Sequence, residues 1–233
     1  MRLPAVLALI CCMAACATPA EPNFSAAQSF KAPVQRSLVL LLHVPAAEPA
    51  YRAGDPAAKR LVTEALTQRG YRVGLIEHSD YALLLQSELS SLLSRTSSPT
   101  GQEIAEAEAR ALATLAKVAC KEADSPLLLR TRLLTRPTTL WQSVASWDGQ
   151  RRQLQFDGSD RVLVNVQGTG PGMSLEAVAA DPAGRLVVKS YGGASVPYVS
   201  GKAAYTRPRV DLFSSDTELK EGIAIALQPV TPK

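Results

Sequence analysis

Histidine is almost missing from this chain of 233 residues: His43 and His78 are the only two. No pair of ligands shows the local helical spacing of a zinc motif, which leaves little for a histidine-built hydrolytic centre. Cysteine is scarce where it could cross-link. Three of the four, Cys11, Cys12 and Cys16, fall in the first 16 residues, leaving Cys120 alone in the body of the chain. One thiol forms no intramolecular bridge, so the fold must stand on its core. Cys120 ends the helical pattern ALATLAKVACK and is expected to be a small, buried, inert residue. Aromatic residues make up only 5%, and a net charge of +4 is too mild to argue for nucleic acid. Nowhere does an apolar run approach the ~20 residues that span a bilayer. Repeats of 20–50 residues and sustained heptads are absent as well. What remains is 46% hydrophobic residues, enough for an ordinary core in one large domain.

The N-terminus carries the clearest address. Arg2 is followed by an apolar stretch from Leu3 to Ile10, continued by Cys11, Cys12 and Met13, and then by small residues. A basic start, a short apolar region and small residues before a cut are the parts of an export signal. Met13-Ala14-Ala15-Cys16 resembles the bacterial lipobox, with Met in place of the usual Leu at its first position. The resemblance implies removal of residues 1–16 as a signal peptide and lipidation of Cys16. Ordinary secretory cleavage, after Ala15 or within residues 17–20, is the alternative. Two or three acyl chains, at ~0.8 kcal/mol per buried CH₂, anchor a protein without a membrane helix. Ala17, rather than Asp, implies the outer membrane with the body facing the periplasm. Residues 17–35, rich in Ala, Pro, Ser and Gln, read as a disordered tether that reaches ~60 Å at full stretch.

Residues 36–233 read as a single α/β (α+β) domain, with a change of pattern near 140. RSLVLLLHVP, an apolar run without alternation, predicts a strand covered on both faces. DPAAKRLVTEALTQRG predicts a helix with Asp55 as N-cap, Pro56 at the first helical position and Gly70 as the stop. YRVGLIEH then supplies a second strand, so the three make a βαβ unit. Two helices follow over YALLLQSELSSLLSR and GQEIAEAEARALATLAKVACKE. The second has Thr100 and Glu103 in capping-box register and an apolar stripe of Ile104, Ala105, Leu112, Leu115, Ala116 and Ala119. SPLLLRTRLLT predicts a third strand with Arg130 and Arg132 on one face, wet at one end. Beyond 140, Trp141, Ser143, Ala145 and Trp147 are expected on one side of a strand, with a hairpin at Asp148-Gly149. A strand over DRVLVNVQ (Asp160–Gln167), a turn at Asp181–Gly184 and a last helix capped by Ser215 and Glu218 complete the expected order.

The βαβ start, the helices and the later antiparallel strands resemble the α/β domain of several bacterial envelope lipoproteins. These include curli-secretion channel lipoproteins, penicillin-binding-protein activators and the amino-terminal domain of TolB. The likeness covers Leu38 to Leu134 and rests on LVLLLHVP, LVTEALTQRGYRV and ADSPLLLRTRLL. It implies an adaptor in envelope assembly or maintenance, with an envelope protein as partner, and it carries over no catalytic residue.

Enzymatic readings have fewer residues to stand on. His43 and His78 lie at the C-terminal ends of the first two strands, the edge where open α/β sheets bind ligands, and Glu77 and Asp80 are near. They are weak metal candidates against a packed histidine and a loop histidine. Gly193-Ala194-Ser195-Val196-Pro197 approaches a nucleophile elbow but has Pro for its last glycine. QGTGPGM (residues 167–173) lacks the Lys-Ser/Thr of a phosphate loop and reads as a flexible turn. Glu106 and Glu108 read as neighbours on a solvated helix face. No cofactor is expected. Tyr191, Tyr198 and Tyr205 form the most aromatic part of the second half, and a partner is expected there if tyrosine packing leaves them a free face. An exported hydrolase or metal-dependent enzyme using His43, His78 or Ser195, or a carrier of a small apolar ligand, are the rival functions. Oligomeric state is not legible.

Overall fold

Residues 38–43 form β2 (Leu38–His43), and all but the first are buried. The computed structural model describes residues 24–27, 30–156, 167–200 and 206–231. β2 is an interior strand because its residues face apolar partners both ways. Val39 and Leu41 join a core shared with one helical layer, and Leu40 and Leu42 join a second core on the opposite face. Burying a leucine fully stabilises by roughly 1.5–3 kcal/mol, so the alternation fixes register as well as burial.

After the short α1 (Pro49–Arg52), α2 (Asp55–Gln68) packs Ala58, Leu61, Val62 and Leu66 on the first core. It ends where Gly70 takes a φ of +86°, a value glycine adopts without a steric penalty. β3 (Arg72–Ile76) pairs parallel to β2, completing the expected βαβ unit. The start of α2 differs from expectation. Gly54 is the N-cap, and the carboxylate of Asp55 accepts the Ala46 N–H at 3.1 Å instead. A carboxylate one residue inside the helix is placed to tie down the loop after β2.

α3 (His78–Leu93) and α4 (Gly101–Glu122) cover the second core. The capping box of α4 forms as expected, with Glu103 N–H on Thr100 Oγ1 at 3.2 Å and Thr100 N–H on Glu103 Oε2 at 2.8 Å. Its buried stripe is Ala107, Ala111, Leu112, Leu115, Ala116 and Cys120, whereas Ile104 is exposed. The first turn overhangs a cleft before the helix reaches the sheet, so the stripe begins later than periodicity alone suggests. Burial pushes the Cys120 thiol up to about 11, as expected of an inert residue.

β4 (Leu127–Trp141) runs 15 residues and pairs with β7 (Gln167–Ala180) from Leu128 to Trp141, with β2 on its other side at the start and the strand that follows it on that side at Thr139–Trp141. This ladder joins the parallel and antiparallel halves into one sheet; with β1 (Phe24–Ala26) and β8 (Leu186–Ser195), its order is β1-β8-β7-β4-β2-β3. The chain has an α+β fold, with α2 and α5 (Thr217–Ala226) on one face and α3 and α4 on the other. The stretch read as a flexible Gly-Pro turn is therefore strand, the first half of β7. Side chains on Gly170 and Gly172 would meet Tyr198 Oη at 2.6 Å and Trp147 at 2.9 Å, so glycine here admits aromatic rings rather than a bend.

Trp141 and Trp147 do not share a strand. β4 stops at Trp141, the chain reverses at Gln142 and Ser143 (φ +48° and +70°), and β5 (Val144–Trp147) returns. Two positive-φ residues in succession match the turn that twisted hairpins favour. The expected hairpin at Asp148-Gly149 follows at once and leads to β6 (Gln150–Gln153). β8 (Leu186–Ser195) leaves β7 through the expected turn, where the Asp181 carboxylate accepts the Ala183 and Arg185 N–H groups. β9 (Tyr198–Ser200) and β10 (Thr206–Pro208) pair with each other. Asp216, not Ser215, is the N-cap of α5, because Glu218 is engaged elsewhere. Most of the strand expected over Asp160–Gln167 lies outside the described residues. β1 (Phe24–Ala26), inside the stretch expected as tether, pairs antiparallel with β8, and Phe30 packs on the first core.

Candidate functional site

Two arginines point from β4 into the space beneath α4. Arg130 donates from Nη2 to Glu176 Oε2 at 2.7 Å, and from Nη1 to Glu108 Oε2 and Tyr81 Oη, each at 3.2 Å. Arg132 donates from Nη1 to Glu108 Oε1 at 2.9 Å. Its Nε stands 2.7 Å from Glu176 Oε2, in ion-pair contact but not aligned as a hydrogen bond. The arginines share one face, as expected, wet only at the Arg132 end, and Glu108 is not simply solvated. Arg130 and Glu176 are buried, and Glu108 reaches them from α4 while Glu106 stays exposed. Spacing decides this: Arg132 and Glu176 are direct cross-strand partners, and Glu108 lies one residue from the buried Ala107.

Burial works to raise the Glu108 carboxyl, yet Arg132 and Arg130 hold it below the usual carboxylate range. For Arg132, burial works the other way, and Glu176 and Glu108 outweigh it and raise the guanidinium further. A carboxylate clamped by two arginines is a poor proton donor or acceptor near neutrality. The quartet is a charged strut. Beside it opens a cleft of about 310 Å³, lined by Gln102, Glu106, Arg132, Leu186 and Lys189 among others. It presents both signs of charge on an apolar floor.

The residues singled out from sequence are mostly structural. His43 is clasped on both sides, with Nδ1 3.1 Å from Thr131 Oγ1 and Nε2 3.2 Å from Asp55 Oδ1. The ionised carboxylate only accepts, so Nε2 carries the proton and Nδ1 accepts from the threonine hydroxyl. The order Thr-His-Asp is that of a hydrolytic relay, but Thr131 is 0% exposed and no substrate reaches it. His78 lies at the start of α3, close enough to His43 to act on its charge. The expected strand-end neighbourhood thus exists, but no group of three or more His, Cys, Asp or Glu that could hold a metal occurs among the described residues.

Burial lowers the His43 pKa, with Lys59 and His78 adding to the effect and Asp55 opposing it. The unfolded chain then binds this proton more readily than the folded one. Stability contributed above the free-histidine value of about 6.5 is lost as pH falls below it. Denaturation midpoints should drop between pH 7 and pH 5.5, and His43→Gln should flatten that slope. An unchanged slope in the variant would remove His43 as its source.

Ser195 is fully buried at the end of β8. Its hydroxyl donates to Glu218 on α5 and accepts from Arg209 Nη1 at 2.9 Å, while Arg209 pairs with Glu218 at 3.1 Å. Without histidine and without access, this trio serves to hold α5 on the sheet. Tyr191 and Tyr198 are 4% and 7% exposed, so packing leaves them no face for the partner expected there. Tyr191 instead lies under the Arg136 guanidinium, 4.0 Å from the ring centre, and Arg136 in turn pairs with Asp148 at 3.2 Å. Tyr205 and Cys16 lie outside the described residues. The quartet escaped sequence reasoning. Its one signal is a pair of arginines inside the leucine-rich run LLLRTRLL, which demands buried partners.

No protein-family model matches the chain, and no curated protein matches it. Solved structures similar to the chain include two PelC dodecamers from Paraburkholderia phytofirmans. One, a variant form, has 12% identity, covers 90% of this chain and 98% of its own, and gives a TM-score of 0.41. The other has 11% identity, with coverages of 90% and 99% and a TM-score of 0.39.

Proposed function

We propose that the chain is a lipoprotein of the bacterial outer membrane, anchored through Cys16, whose periplasm-facing body binds an envelope protein in assembly or maintenance of the cell envelope. The kinship with envelope-assembly lipoproteins suggested by its order of elements belongs to this reading. Met13-Ala14-Ala15-Cys16 supports the address. Binding, rather than catalysis, is supported by one observation above all: His43 spends both ring nitrogens on Thr131 and Asp55 inside the fold. No helix among the described residues is long and apolar enough to cross a membrane, so attachment would rest on acyl chains. Two or more chains hold almost permanently, whereas one holds marginally.

The intact mass of the native protein should correspond to a chain starting at acylated Cys16, and Cys16→Ala should leave the membrane fraction. A mature, unacylated chain beginning at another residue would sink the proposal.

A further inference from the structure

Among the described residues, β1 pairs only with β8 and is the outermost strand on one side of the sheet, while β3 is outermost on the other. At ~4.8 Å per strand, the two edges stand about 24 Å apart. Seven residues separate Cys16 from Phe24. Whatever path they take, they reach at most about 28 Å. A chain secured at residue 16 and again at residue 24 cannot turn its β3 edge to the same surface without spending that whole length on the detour.

The near edge also has the composition of a surface-binding face. Lys31 and Arg185 line one shallow cavity, and the Lys117 side chain lies against the β7–β8 turn at Gly184. Lys189 sits opposite Ser25 of β1. The acid among them, Asp181, is engaged by Arg185 and by turn N–H groups. Exposed Phe24 and Leu186 flank these bases. The far edge carries exposed Arg72 and Leu75 on β3, but two exposed acids, Glu77 and Asp80, follow directly and offset that base.

We propose that the β1–β8 edge faces the bilayer and rests on anionic phospholipid headgroups of the leaflet that holds the Cys16 anchor. This rests on the acylation reading above. Bases near an anionic leaflet are attracted within a Debye length, and exposed apolar side chains enter the headgroup layer. The cleft beside the quartet, which shares Leu186 and Lys189 with this edge, then opens next to the membrane.

The test uses acylated full-length protein whose intact mass has first been measured. A fluorophore is placed at Leu186→Cys or, separately, at Leu75→Cys; these sites on opposite edges are 43% and 50% exposed, and the buried Cys120 stays unlabelled. The protein is reconstituted into phosphatidylethanolamine vesicles containing phosphatidylglycerol and nitroxide-headed lipid. Quenching several-fold stronger at 186 than at 75 is expected. Equal quenching, or more at 75, on acylated protein overturns the orientation and leaves the anchor standing. An unacylated mass overturns the anchor and the orientation with it. Lys31→Glu with Arg185→Glu should weaken quenching at 186 while the protein stays membrane-bound; unchanged quenching overturns the headgroup contact.

Discussion

Glu176→Ala is expected to destabilise the folded body by about 3–5 kcal/mol, as removal of one partner from a buried ion pair generally does. Glu176 takes Arg130 Nη2 at 2.7 Å and has Arg132 Nε at the same distance, beneath α4. Its loss strands two guanidinium groups, one of them buried, on the single carboxylate of Glu108. A stranded charge costs its desolvation in full, whereas the intact quartet offsets most of that cost internally. Replacing both members of a pair should therefore be far milder: Arg130→Met with Glu176→Leu leaves Arg132 and Glu108 joined at 2.9 Å. Glu106→Ala, on the exposed side of the same helix, should fall within about 0.5 kcal/mol of the parent. Urea denaturation of the three variants measures all of this, and a cost below about 1 kcal/mol for Glu176→Ala would show that Glu176 does not offset the burial of Arg130 and Arg132.

Elements whose signal is local were legible. An unbroken apolar run became β2, the Gly70 stop and the Thr100 capping box stand where expected, and Asp148-Gly149 makes its hairpin. Each of these is set by dihedral preference or by hydrogen bonds within a few residues. What escaped depends on packing between distant segments. Glu108, Arg130 and Glu176 come from one helix and two strands, and nothing in the order of residues shows that they converge. Asp55 reads as a cap until the loop after β2 is seen folding back to it. For the tyrosines, packing and recognition were both open from sequence, and Tyr191 and Tyr198 are packed, because aromatics favour interiors as much as interfaces.

Glycine misled most, because its commonest use is to bend the chain. QGTGPGM, read as a turn, is strand in β7, and in Tyr191-Gly192-Gly193 of β8 glycine brings backbones together. Gly192→Ala should be among the most damaging single substitutions in the protein. A Cβ there would lie 1.9 Å from the Gly222 carbonyl oxygen and 2.7 Å from the Ala226 nitrogen, both backbone atoms of α5. No side-chain rotation relieves such a contact, so α5 must retreat from the sheet, loosening Leu219, Ile223 and Ala226 together. Overpacking usually costs 1–3 kcal/mol, and a clash with a helix backbone belongs at or above ~3 kcal/mol. Gly222→Ala meets Ala194 at 3.0 Å and should cost less. Gly101→Ala, with open space around it at the start of α4, should be neutral or stabilising by up to ~1 kcal/mol, since alanine suits a helix better. If thermal or urea denaturation ranks Gly192→Ala with Gly101→Ala, then the close seat of α5 on β8 is not what holds the second half of the sheet together.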